Sequence, residues 1–146
     1  VRRSVKALRP DALETLDLKR ALIQMMEETK CSTGVDILYE IRTKLKSFDK
    51  DEEDIIYRIV QESITNAIRH GKAHKIWVRI DRSFQMLEIH IKDDGIGCSN
   101  IQKGFGLHHM EERLSMLHGS LSYHGNDGFT VDAQIPIRWG TEGEDD

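Results

Sequence analysis

With 146 residues, 38% hydrophobic and 32% charged, the chain has the make-up of one soluble globular domain with a real core. A formal net charge of -4, with no basic stripe and interleaved aromatics, argues against a nucleic-acid surface, so no nucleic-acid partner is expected. No apolar run approaches a membrane span, no leader pattern is present, and Cys31 and Cys98 lack metal-site spacing and read as free thiols in a reducing compartment.

The start at Val1 points to a piece excised from a longer protein. Residues 1–10, VRRSVKALRP, are basic, partly helical and stopped by Pro10, as the end of a preceding helix would be. Residues 11–30 carry a second helical pattern, with Asp17 as cap and Leu18, Leu22, Ile23 and Met26 as apolar face. Gly34 breaks it, and VDILYEI, residues 35–41, alternates as a first strand. The polar run KSFDKDEED places negative charge ahead of a long helix over 55–71, whose Ile56, Val60, Ile64, Ala67 and Ile68 recur at helical spacing. Gly71 ends that helix. Strands are expected over 75–81 and 86–93, joined by a hairpin turn at 82–85. A helix over 106–118 bears Leu107, Met110, Leu114 and Leu117 on one stripe and is stopped by Gly119. SLSYHG, an NDG turn and FTVDAQIPI form the closing strands, and the acidic WGTEGEDD tail is expected to fray. This order of elements does not alternate regularly between strand and helix. It predicts an α/β two-layer sandwich, a mixed, mostly antiparallel sheet with helices on one face.

Three segments carry chemistry. On the long helix Glu62, Asn66 and His70 are each four apart and share one stripe, which Arg58 extends by a turn. A carboxylate, an amide oxygen and an imidazole spaced by about 6 Å, one helical turn, suit a hard cation, a water and a phosphate. A solvated polar face fits the same stripe. Asp93-Asp94-Gly95-Ile96-Gly97 comes directly off a strand: its glycines admit a flat ligand close to the backbone, and Asp93 can accept from an exocyclic amine. An ordinary Asp-Gly turn is the alternative. Gly104-Phe105-Gly106-Leu107 opens a helix and leaves free N–H groups where phosphate oxygens bind well, although a simple helix cap reads the same way. SNIQK, between the glycine pairs, is short enough for a small lid. His108, His109, His118 and His124 have no Cys or carboxylate partners at metal-site spacing and read as ordinary surface or helix histidines.

Taken in order, ESITNAIRH, DDGIG and GFGL resemble the ATP-binding domain of the histidine-kinase, DNA-gyrase, Hsp90 and MutL superfamily, and within it the catalytic domain of bacterial sensor histidine kinases. LRPDALETLDLKRAL and GLHHMEERLSMLHG resemble its nitrate-sensor and DesK-like branch. The resemblance implies a Bergerat-type ATP-binding fold. It also implies the end of a dimerisation helix and linker over 1–16, a catalytic domain over 17–138 and a disordered tail over 139–146. It gives Asn66 the magnesium, Glu62 the polarising carboxylate, and His70 a place near the phosphates. Asp93 would specify adenine, with Gly95 and Gly97 as the first glycine box, Gly104, Gly106 and Leu107 as the second, and Thr130 in the last motif.

The implied ligands are ATP and Mg2+, and the implied reaction moves the γ-phosphoryl group to a His on a separate dimerisation domain, then to a response regulator. No His precedes residue 70, so the phosphoacceptor lies outside this chain. The parent would be a homodimer, with this piece a monomer in the cytoplasm and the parent open to membrane anchoring. In one departure, Gly128-Phe129-Thr130 has Phe where the family's last motif has a Thr whose hydroxyl supports the adenine-binding Asp. That departure leaves room for a catalytically inactive, nucleotide-sensing or docking module. An anti-sigma-factor-like Ser kinase on the same fold is the other alternative.

Overall fold

The structure, a computed structural model, describes residues 12–45, 48–96, 107–125 and 128–137. The basic start, Cys98, the lid segment, the second glycine box before Leu107 and the acidic tail lie outside the described residues.

A short helix α1 (Ala12–Thr15) leads into α2 (Leu18–Thr33). Asp17 caps α2 by accepting from the Arg20 N–H at 2.9 Å, and Gly34, at φ 79°, closes it by donating to the Lys30 carbonyl. Its buried face is Leu18, Ala21, Leu22, Met25 and Met26, while Ile23 is only half-buried. Strand β1 (Asp36–Ile41) follows.

Helix α3 (Lys50–Arg69) begins earlier than its apolar period suggests. The acidic run is the first turn of the helix, not a lead-in. Asp49 accepts from the Glu52 N–H at 2.9 Å, and Glu52 accepts in return from the Asp49 N–H at 3.0 Å. This capping box satisfies amides that would otherwise be orphaned at the helix start. Asp51, Glu52 and Glu53 also face the positive end of the helix dipole.

Strands β2 (Lys75–Ser83) and β3 (Met86–Asp93) form a hairpin whose ladder extends to Ser83 and Met86, so the turn tightens to Phe84 and Gln85. Helix α4 (Leu107–Met116) buries Met110 and Leu114. It ends through His118 at φ 64°, with the Gly119 N–H donating to the Leu114 carbonyl. Strands β4 (Ser120–His124) and β5 (Thr130–Pro136) complete a five-stranded sheet in the order β1-β2-β3-β5-β4. Among the described residues only the β1–β2 pair is parallel. The architecture is the expected mixed sheet with helices packed on one face.

Period-two alternation directs Ile76, Val78 and Ile80 of β2, Leu87, Ile89 and Ile91 of β3, and Val131, Ala133 and Ile135 of β5 into one buried layer. Ile56, Ile59, Val60, Ile64 and Ala67 of α3 join the same cluster. The opposite face carries Arg79, Lys92 and a His90–Asp132 contact at 2.5 Å between Nδ1 and Oδ1.

Among the described residues the buried Ser63 hydroxyl, on α3, is the one buried side-chain polar atom without a hydrogen-bond partner. Desolvating it brings no return. Ser63→Ala should therefore raise the unfolding free energy by about 1 kcal/mol, through the relieved desolvation and the better helix propensity of Ala. Urea denaturation checks this, and a lower midpoint would mean that the hydroxyl is held by a group not seen.

Candidate functional site

The site is built where three chain segments meet: the end of α3, the end of β3 and the entry to β5. Asp93 is the last inward position of β3, continuing the row Leu87, Ile89 and Ile91, and is 3% exposed. A carboxylate thus occupies a place that alternation assigns to the core. Its Oδ1 accepts from the Gly95 N–H at 2.7 Å and the Phe129 N–H at 3.3 Å, and neither bond uses Oδ2. The Asp93 N–H in turn donates to the Phe129 carbonyl at 3.0 Å. Burial pushes the Asp93 carboxyl above the ordinary carboxylate range, and the Gly95 and Phe129 amides pull partly the other way.

Phe129 therefore supports Asp93 through its backbone, not its side chain. The ring is buried and stacks on Tyr123 with centroids 6.2 Å apart. That main-chain N–H is a donor that any residue except Pro supplies, so this support of Asp93 does not depend on which side chain stands at position 129. Phe129→Thr should then gain nothing at Asp93 and lose ring packing, lowering stability by about 2 kcal/mol. A thermal melt beside a nucleotide titration checks it; tighter nucleotide binding without a stability loss would contradict it.

On α3 the Glu62, Asn66 and His70 stripe runs from half-buried Glu62 through Asn66, 6% exposed, to exposed His70. The Asn66 carbonyl accepts from the His70 N–H at 2.9 Å and the Gly71 N–H at 3.1 Å, which turns the chain off the helix. Gly71 keeps ordinary φ, and Lys72, at φ 53°, takes the left-handed step. A Cβ on Gly71 would stand 2.9 Å from the Ala67 carbonyl oxygen, so the glycine is required by close approach.

The two ends are then tied together. The Ile96 N–H donates to the Gly71 carbonyl at 2.8 Å, and a Cβ on Gly95 would overlap that same carbonyl oxygen. Gly128, at φ 83°, lies so close to the Asp93 carbonyl that a Cβ would overlap it. Sequence reasoning passed over the Gly71 carbonyl, the Phe129 amide and Asp94, although an Asp pair ahead of Gly was a visible sign of side-chain-to-backbone bonding.

The structure brings together Asp93, Gly95 and the turn leaving Asn66 and His70. Thr130 lies apart: paired with Lys92 and His124, it belongs to the sheet face opposite Phe129. Leu107 opens α4. Gly97, Gly104 and Gly106 lie outside the described residues. Among the described residues no three His, Cys, Asp or Glu side chains converge as a metal cage. A buried Asn amide and a half-buried Glu one turn away are instead the hard-oxygen donors that suit magnesium shared with phosphates. One carboxylate also ties the helix layer: Asp54 accepts from Arg58 at 2.7 Å and meets Arg113 of α4 at 3.6 Å.

Residues 51–138 match the family described as histidine kinase-, DNA gyrase B-, and HSP90-like ATPase. Over 142 residues, 94% of this chain, the sequence is 34% identical to the signal transduction histidine-protein kinase/phosphatase DegS of Brevibacillus brevis. Over 130 residues, 82% of this chain, it is 35% identical to an uncharacterized sensor-like histidine kinase of Chloroflexus aurantiacus. The matched regions are 37% and 22% of those relatives' lengths. Among solved structures, the histidine kinase ThkA in complex with the response regulator protein TrrA shares the fold, with a TM-score of 0.67 and 16% identity over 84% of this chain and 40% of that one.

Proposed function

Because the chain belongs to the histidine kinase-, DNA gyrase B-, and HSP90-like ATPase family, we propose that it is the ATP-binding catalytic domain of a two-component sensor histidine kinase of the nitrate-sensor and DesK-like branch. The observation that carries this reading is Asp93. It is a buried carboxylate held by two amides on one oxygen, with glycines at 95 and 128 keeping the surrounding backbone close.

In this reading Oδ2 of Asp93 accepts from the adenine amine, while Gly95 and Gly97 let the base lie against the backbone. Asn66 holds magnesium, which offsets phosphate charge when bound. Glu62 orients the group approaching the phosphorus, His70 stands near the phosphates, and the amides around Gly104, Gly106 and Leu107 receive phosphate oxygens. Thr130 follows the adenine wall from the second sheet face. The chain's contribution is positioning and charge neutralisation, as phosphoryl transfer requires.

The γ-phosphoryl group passes to a His nitrogen on a dimerisation domain of the same protein and then to a response regulator. The ThkA–TrrA complex supports the second partner by analogy of fold. The parent is a homodimer whose catalytic domain works in the cytoplasm, with membrane anchoring left to segments outside this chain. Among the described residues no helix is long and apolar enough to cross a membrane.

Incubating the chain with radiolabelled ATP, with and without an added dimerisation domain, tests the proposal. Acid-labile label on the added domain, and none on this chain alone, is expected. Acid-stable label on a Ser substrate would favour the anti-sigma-factor-like reading instead.

A further inference from the structure

Asp94, next to Asp93, is exposed and points to a different task. Its Oδ1 accepts from the His74 N–H at 2.8 Å and the Lys75 N–H at 3.0 Å, both at the entry to β2. The Asp94 N–H returns a bond to the Lys75 carbonyl at 3.2 Å, and the Ile96 N–H reaches the Gly71 carbonyl at 2.8 Å. The turn after β3 is therefore stitched to the turn after α3 at several points, and Asp94 supplies a side-chain strut between them. Two amides converging on one carboxylate oxygen make charge-assisted bonds. The Lys75 and His74 amides accordingly hold the Asp94 carboxyl below its ordinary range. On the far side of the stitch, the Gly71 N–H is bonded to the Asn66 carbonyl. The turn leaving Asn66 is thus tied to the strand end bearing Asp93 by two separate links, the Gly71 carbonyl to the Ile96 N–H and the Asp94 carboxylate to the His74 and Lys75 amides.

We propose that Asp94 is a positioning residue that fixes the spacing between the α3 end bearing Asn66 and the strand end bearing Asp93. It thereby sets affinity for a ligand long enough to engage both. The proposal rests on the ATP reading and deepens it. Asp94 itself need touch no ligand. Asp93 keeps its own supports, the Gly95 and Phe129 amides, when Asp94 is removed. A nucleoside that uses only the Asp93 end should therefore not sense the strut, whereas a metal-bound triphosphate should.

Wild type, Asp94→Ala and Asp94→Asn are titrated with magnesium-ATP and, separately, with adenosine. Asp94→Ala should bind magnesium-ATP about tenfold or more weaker, while adenosine stays within about twofold. Asp94→Asn keeps a carbonyl oxygen for both amides and should stay within about threefold of wild type for both ligands. An alanine variant that loses both ligands alike, or neither, overturns the proposal and leaves the ATP reading standing. So does an asparagine variant as weak as alanine. Wild-type protein that fails to bind magnesium-ATP removes the ATP reading and the proposal together. If Asp94→Ala does not fold, Asp94→Ser, whose shorter hydroxyl can serve one amide only, should show the same split between ligands in smaller measure; equal losses would again overturn the proposal.

Discussion

Gly95→Ala is expected to abolish magnesium-ATP binding and to lower the unfolding free energy by about 3 kcal/mol or more, the upper range for forcing atoms into a packed site. The added Cβ would overlap the Gly71 carbonyl oxygen, and its next neighbours are the Gly71 carbonyl carbon at 2.8 Å and Asp93 Oδ1 at 3.1 Å. None of these is the far end of a flexible side chain. Relief requires moving the turn after α3 or the turn after β3, and the Ile96–Gly71 bond ties one to the other. Gly34→Ala is the control. Gly34 is also a glycine in a special place, at φ 79°, but a Cβ there meets nothing within 4 Å. It should cost only about 1 kcal/mol, from backbone strain alone, and leave nucleotide affinity untouched. Equal effects of the two substitutions on nucleotide binding would mean that the contact with Gly71 is not what the site depends on.

Asp93→Asn should weaken ATP by about 2–3 kcal/mol, on the order of a hundredfold, while leaving the domain as stable as before or more so. Oδ1 alone receives the Gly95 and Phe129 amides, and the Asn side chain can present its carbonyl oxygen there. Its NH2 then replaces Oδ2, so a donor faces the adenine amine, which is itself a donor. The stability side follows from the pKa direction. Burial raises the folded-state pKa above the unfolded value, so the wild type loses stability as pH rises from the ordinary carboxylate range through the folded value. The variant does not titrate. Its stability relative to wild type should therefore increase with pH across that window and level off above it. Denaturant midpoints at several pH values, beside titrations with ATP and inorganic triphosphate, check both halves. Losses of equal size for ATP and triphosphate would show that Asp93 does not read the base.

The fold was legible wherever a local signal coincided with a structural cause. Asp17 and Gly34 bracket α2 because one can cap and the other can turn left-handed. Ile76, Val78 and Ile80, read against Leu87, Ile89 and Ile91, are enough to place a hairpin with one wet face. The start of α3 was harder because its apolar period begins only at Ile55. What starts the helix is the reciprocal Asp49–Glu52 pair inside a run that looks merely polar. Asp93 was visible as a residue type after a strand, and its inward direction follows from counting in twos from Leu87. The bonds that support it were not visible. The Phe129 amide comes from a segment far along the chain and carries no side-chain signature, so the Phe in the last motif looked like a loss. The same holds for the Gly71 carbonyl, which bonds Ile96 and closes the space beside Gly95. Main-chain contacts between distant segments depend on register and packing, which a single sequence expresses only indirectly.

The central claim is that Asp93 and the end of α3 form one nucleotide site. Titration calorimetry of the wild-type chain with a non-hydrolysable ATP analogue, in the presence and absence of magnesium, tests it most directly. The expected result is a single site whose affinity rises with magnesium and which is lost to inorganic triphosphate only at much higher concentration. No heat of binding at millimolar analogue, with or without the metal, would contradict it.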